Sequence, residues 1–248
     1  MGPMGRRTRC SFRGVAAPVV VSRRFNGPLD SGNGGYSAGL FASRLDPGPV
    51  EVDLRSPIPL DEPIEPQPGD RGLVRFSSGE TLVAEARPAP GFDLSTPDPV
   101  SIEEAREAAT RYPAPADGLF SRCFVCGRAR EDSFGVFAGP FADGSLVASP
   151  WTPPEWAADS DRRVRPEFAW AALDCPTYFA AFAGGDLPLA FMAKVTAATP
   201  GRAVAGEEHV VIAWSISGEG RKHRAGSAIF APDGGRLAFA EVLLIEPR

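Results

Sequence analysis

One carboxylate sits where its own segment offers it no partner. From Pro166 to Phe182 the chain reads Pro-Glu-Phe-Ala-Trp-Ala-Ala-Leu-Asp-Cys-Pro-Thr-Tyr-Phe-Ala-Ala-Phe, and after Glu167 its only charge is Asp174. Apolar side chains on every face make a helix a buried one. A carboxylate buried without partners costs several kcal/mol or has its pKa pushed up. Such a group suits a general base or a nucleophile. It also suits a plain helix cap, because Pro176 cannot donate to the Ala172 carbonyl and predicts a kink or restart there. A second group is Ser31-Gly32-Asn33-Gly34-Gly35-Tyr36, where a helix should begin. A helix start presents unpaired N–H groups and the positive end of the helix dipole. The same glycines fit a tight turn needing positive φ. Tyr36 and Ser37 could add a hydroxyl, although a tyrosine at a helix start packs as readily.

The four cysteines, Cys10, Cys123, Cys126 and Cys175, are too few and too irregular for a disulfide framework in 248 residues. Cys123-x-x-Cys126 has the spacing of half a zinc site, but structural zinc takes four ligands and only His209 and His223 remain besides two scattered cysteines. Structural thiols are the expectation, with no metal and no cofactor. Cys175 reads as buried packing, since no His-Asn pattern supports a nucleophile. Arg221-Lys222-His223-Arg224 is the one dense basic cluster, either a solvated hairpin or a contact for phosphates through forked arginine donors.

The elements that must position these groups follow from patterning. With 43% hydrophobic and 23% charged residues and a net charge of -5, the chain is globular in composition, with no global electrostatic case for nucleic acid or an anionic membrane. No stretch approaches a membrane span. The basic start, Met1 to Arg13, and the short apolar run after it lack the length and cleavage site of a secretory signal, so the cytoplasm is expected. A strand is predicted over Pro18 to Phe25 and a helix from near Tyr36 to Leu45, stopped by Asp46-Pro47-Gly48-Pro49. A half-exposed strand through Val50, Val52 and Leu54, an edge or connection over Pro57 to Pro68, and a hairpin over 72–77 and 81–87 follow. From Pro88 to Pro99 the composition turns to Pro, Asp, Ser and Thr, and Ser101-Ile102-Glu103-Glu104 opens a short capped helix. The domain boundary is placed after it, dividing the chain into 1–112 and 113–248. Beyond lie a strand at 145–149, the apolar helix, and four strands over 189–197, 208–217, 225–231 and 237–245 between Gly- and Pro-containing turns.

Both halves thus run strand, loop, one apolar helix, then several antiparallel strands. This layout resembles the hotdog fold of acyl-CoA thioesterases and related dehydratases, present twice. The implied class is α+β, a double hotdog of two repeats, each a curved antiparallel sheet wrapped around one central helix. Cys123-Phe124-Val125-Cys126-Gly127 is similar to the Cys-Phe-Gly-Cys-Gly entry segment of the phenylacetate-pathway-like thioesterases. Gly220-Arg221-Lys222-His223-Arg224 through Asp233-Gly234-Gly235 to Glu241 resembles their last hairpin. Ser31 to Tyr36 resembles their His-Gly-Gly at the helix start, with Asn33 in place of the histidine.

The resemblance implies that a Gly-Gly amide at one helix start polarises a thioester carbonyl, while an acid two turns along the opposite helix acts as base or nucleophile. Gly34 takes the amide's place, and two turns on stands Ala42. Asp174 takes the acid's place, and two turns before it stands Pro166, which has no N–H. Each half lacks what the other keeps, which implies one composite site. Asp174, Gly34 and Asn33 are its expected catalytic residues, and Gly35, Tyr36, Arg221, Lys222 and Arg224 its substrate contacts, the basic ones on coenzyme A phosphates. The expected activity is hydrolysis of an acyl-CoA or similar thioester. The alternatives are a hotdog hydratase or dehydratase, for which His209 is remote from Asn33, and an inactive double hotdog that binds an acyl or aromatic ligand in a closed or acid-free groove. No nucleic-acid or membrane partner is expected, and nothing in the sequence excludes a homo-oligomer.

Overall fold

The computed structural model describes residues 17–113, 118–141 and 143–248; the basic start and Cys10 lie outside them. Val19–Val20 forms β1, and the strand expected to reach Phe25 stops there. Ser22 accepts the Arg24 N–H on its hydroxyl and the Phe25 N–H on its carbonyl, which turns Arg23–Phe25 into a 3-10 turn. α1 (Gly34–Ala42) starts two residues earlier than expected because Asn33 caps it. β2 (Val50–Leu54), β3 (Pro63–Pro68), β4 (Val74–Ser78) and β5 (Thr81–Pro88) follow. The prolines of β3 are tolerable near a sheet edge, where only the two-residue β1 lies beyond it. α2 (Ile102–Ala109) opens on a full capping box between Ser101 and Glu104.

The remainder is β6 (Gly139–Pro140), β7 (Val147–Trp151), α3 (Pro166–Ala181), β8 (Phe191–Ala198), β9 (His209–Glu219), β10 (Lys222–Phe230) and β11 (Arg236–Ile245). Among the described residues the strands form one sheet in the order β1-β3-β4-β5-β2-β8-β11-β10-β9-β7-β6. Antiparallel pairing of β2 with β8, Val50 opposite Ala197 and Val52 opposite Val195, joins a strand that precedes α2 in the chain to one that follows it. Strand alternation separates two apolar sets. Val52, Val195, Val211 and Val242 face the layer of α1 and α3, while Ile212, Ala228 and Phe239 pack under Ala105 and Ala108 of α2. No helix is long and apolar enough to cross a membrane among the described residues.

α3 runs without a break through Pro176, which corrects the expected restart at that position. Polar side chains engage the carbonyls beside the proline notch: Thr177 Oγ1 donates to the Asp174 carbonyl (2.6 Å) and Ser227 of β10 to that of Leu173 (2.7 Å). The Asp174 carboxylate is therefore not spent on capping α3.

Candidate active site

The start of α1 leaves three N–H groups without helical partners before the Ser37 N–H reaches the Asn33 carbonyl (3.0 Å). Asn33 Oδ1 accepts the Tyr36 N–H (2.9 Å), and Asp174 Oδ2, from α3, accepts the Gly35 N–H (2.8 Å). The Gly34 N–H makes no hydrogen bond among the described residues. The residue lies beside the carboxylate, since a Cβ on Gly34 would be 3.4 Å from Asp174 Oδ2. Asn33 Nδ2 donates to the same Oδ2 (3.2 Å), an orientation fixed by the cap that its oxygen makes. Both donors converge on Oδ2. Oδ1 accepts no hydrogen bond among the described residues and is the atom left for chemistry.

Glycine makes this meeting possible. A Cβ on Gly35 would lie 2.5 Å from Asp174 Cβ and from the Trp170 carbonyl oxygen, and one on Gly39 would lie 2.6 Å from Glu167 Cα. The contact runs from Gly35 to Gly39 on α1 while it runs back from Asp174 to Glu167 on α3, so the helices cross antiparallel. Two glycines four apart share one helix face and let two backbones approach. That spacing was present in the sequence as Gly35-Tyr36-Ser37-Ala38-Gly39 and is the signal that the reading by motif missed.

Desolvation pushes the Asp174 carboxyl up to about 7, against the downward pull of the Gly35 N–H and the Asn33 amide. The residue keeps a little accessible surface, yet protein surrounds the carboxyl closely enough for burial to win. Carboxyls poised near neutrality are those that serve as general acids and bases. The flexible tip of Met192 from β8 and Leu54 of β2 lie over Gly34.

The other expected residues are placed differently. Tyr36 packs into an aromatic cluster, 4.3 Å from Phe25 and 5.2 Å from Phe168 between ring centroids, and desolvation raises its hydroxyl to about 12. The basic cluster does not form one patch, because alternation along β10 divides it between the faces of the sheet. His223 packs tilted against Phe182, at the end of α3, and bonds Glu246 (2.8 Å), whereas Arg224 pairs with Glu241 on the opposite face. There Arg224, Glu241, Lys194, Glu51 and Phe92 line a cavity of about 400 Å³. Arg221 sits in the turn and donates to the Glu246 carbonyl (2.6 Å). The fold also gathers three cysteines that the sequence holds apart: Cys175 of α3 lies against Cys123 and Cys126.

No protein-family model and no curated protein matches the chain. Solved structures match it along most of its length. A tesB protein of Mycobacterium avium subs paratuberculosis is 16% identical with a TM-score of 0.59, over 97% of this chain and 96% of that one. A conserved protein of unknown function with hot dog fold from Alicyclobacillus acidocaldarius is 13% identical with a TM-score of 0.53, over 96% of each chain. The chain has the hotdog fold. An acyl-CoA thioesterase II of Mycobacterium marinum is similar over 88% of this chain and 90% of that one, at 14% identity and a TM-score of 0.53. At such identities the likeness is one of hotdog architecture, a large antiparallel sheet with few helices, and the chemistry has to be argued from the residues at the α1–α3 contact.

Proposed function

We propose that this hotdog protein hydrolyses an acyl thioester of the acyl-CoA kind at one composite site between α1 and α3. One observation carries the reading: a desolvated carboxylate from α3 lies at the N-terminus of α1 with its Oδ1 free, beside a Gly34 N–H that is unpaired among the described residues. The structural likeness to an acyl-CoA thioesterase II of Mycobacterium marinum agrees with it. We propose further that the chain is a double hotdog of two repeats, 1–112 and 113–248. Outward from the β2–β8 seam the strands run β2-β5-β4-β3-β1 on one side and β8-β11-β10-β9-β7 on the other, the same order relative to α1 and to α3, which supports this.

In the proposed reaction the thioester carbonyl oxygen accepts the Gly34 N–H at the positive end of the α1 dipole. Asp174 Oδ1 takes a proton from a water whose oxygen adds to the carbonyl carbon. The tetrahedral oxyanion collapses, the carbon–sulfur bond breaks, and the proton on Asp174 passes to the departing thiolate, giving acid and thiol. Gly35 and Asn33 hold Oδ2 throughout and so orient the carboxylate. Met192 must turn aside to admit the carbonyl, which its three rotatable bonds allow. His209 offers no competing hydratase base, since its ring accepts the Val204 N–H (3.3 Å) on Nε2 and bonds the Glu207 carbonyl (2.9 Å) through Nδ1.

The test is thiol release from a panel of straight-chain and aromatic acyl-CoAs by the wild type and by Gly34→Pro. Proline suits the first position of a helix, as Pro166 does in α3, and it removes the proposed oxyanion donor while adding a ring beside Met192, so Gly34→Ala, which adds the Cβ and keeps the N–H, is the control. Losing one such donor costs about 10²–10³ in kcat. Undiminished release by a folded Gly34→Pro would remove the oxyanion role, and tight acyl-CoA binding without any release by the wild type would make the protein a binder.

A further inference from the structure

Three thiols meet behind Asp174. The sulfurs of Cys123, Cys126 and Cys175 all lie within 4.8 Å of one another, with Cys123 and Cys175 at 3.8 Å. Cys123 and Cys126 stand in a turn closed by the Gly127 N–H on the Cys123 carbonyl (2.9 Å), and a Cβ on Gly127 would lie 2.6 Å from Cys123 N and O. Asn33 Nδ2 lies 3.9 Å from the sulfurs of both Cys123 and Cys175. An amide N–H beside sulfur favours thiolate over thiol. Apolar packing asks for no such donor, and a disulfide would use two sulfurs where three converge.

We propose that Cys123, Cys126 and Cys175 bind one thiophilic monovalent ion, Cu(I), as a trigonal thiolate site. Soft thiolates select Cu(I), zinc or iron–sulfur clusters. Three planar bonds of about 2.3 Å put the sulfurs about 4 Å apart, close to the separation found, and side-chain rotation closes the rest. No fourth His, Cys, Asp or Glu joins the group among the described residues, which leaves tetrahedral zinc incomplete. Asp174 Oδ2 is committed to Gly35 and Asn33. Ligation replaces the three thiol protons by one Cu(I), releasing them to solvent. The Asn33 amide lies against the negative charge that this leaves on Cys123 and Cys175. The bound ion ties the 123–127 turn to α3 at the residue following Asp174, whatever Asp174 itself does.

The experiment uses the reduced full chain with Cys10→Ser, which removes the thiol outside the described residues. Cu(I) is titrated without oxygen against a bicinchoninate competitor. The expected result is one equivalent of Cu(I) bound, a thiolate-to-copper absorption in the near ultraviolet, protection of three thiols from a thiol reagent, and a higher thermal midpoint. Cys123→Ala and Cys175→Ala should each weaken binding about a hundredfold. Thiol protection is read on the protein with all three cysteines present, so a variant that fails to fold does not decide the matter. The proposal is overturned if three reduced thiols leave Cu(I) with the competitor, if Zn(II) is held at one equivalent and Cu(I) is not, or if Cys175→Ala holds Cu(I) as tightly as the protein with all three cysteines.

Discussion

Replacing Gly35 by alanine tests the helix contact that creates the site. The added Cβ would meet the Trp170 carbonyl oxygen and Asp174 Cβ at 2.5 Å, both part of or next to backbone, so relief requires the helices to part by most of an ångström. Forcing a methyl into a packed contact costs about 1–3 kcal/mol. Gly34→Ala is the matched control: its Cβ meets the far end of Met192 at 2.6 Å, and a flexible tip can turn away. Both substitutions gain helix propensity, up to about 1 kcal/mol, so that gain cancels in the comparison. In a chain of this size 1 kcal/mol shifts the thermal midpoint by about 2–4 °C, so Gly35→Ala should melt about 2–12 °C below Gly34→Ala. Gly39→Ala should fall with Gly35→Ala, because its Cβ meets Glu167 Cα at 2.6 Å. Urea or thermal unfolding of the three variants measures this. Equal stability of Gly34→Ala and Gly35→Ala would refute the close crossing and, with it, the alignment of Asp174 on α1.

Burial lowers the pKa of His209 below its ordinary value, and Nε2 must stay unprotonated to accept the Val204 N–H. The unfolded chain therefore takes up this proton near pH 6.5 while the folded protein does so only at lower pH, so stability from this group is whole above about 6.5 and declines as the pH falls toward the folded value. Urea midpoints from about pH 8 to 5 should show the decline once Asp174→Asn removes the carboxyl poised near 7, whose own titration stabilises the fold as the pH falls over the same window, and His209→Gln in that background should flatten it; an unchanged slope would deny the group this role. Because Arg224 faces away from α3, Arg224→Ala should leave KM for a CoA thioester within about twofold, and a rise of tenfold or more, about 1.4 kcal/mol, would mean that the phosphates cross the sheet. Ser101→Ala should cost about 1 kcal/mol through its capping box, read as a lowered unfolding midpoint.

Local chemistry was legible and long-range placement was not. A lone carboxylate in an apolar helix, a capping asparagine before two glycines, and Ser101 with Glu104 all declare themselves within a few residues, because desolvation and capping are local. The hairpins follow from alternation and turn residues, and the architecture from their order. The stop after β1 escaped notice because one serine hydroxyl competes with the sheet for a backbone N–H. The basic cluster seemed one feature because sequence neighbours look adjacent, whereas a strand sends them to opposite faces. Cys175 and Cys123 are joined by the path of the fold alone, and so is the Gly35–Asp174 bond; neither leaves any periodicity to read.

Asp174→Asn is the most direct measurement, made as thioester turnover and thermal midpoint on the same preparations. The amide oxygen can take over both hydrogen bonds that now converge on Oδ2, from Gly35 and Asn33, and its NH₂ fills the place of Oδ1. Volume is kept and no charge is left buried, so the midpoint should hold or rise. An amide cannot accept the proton of water, and losing the general base costs about 10²–10⁴ in rate. The account predicts a folded protein that has lost turnover by that factor, and it is contradicted by a folded Asp174→Asn that hydrolyses thioesters at the wild-type rate.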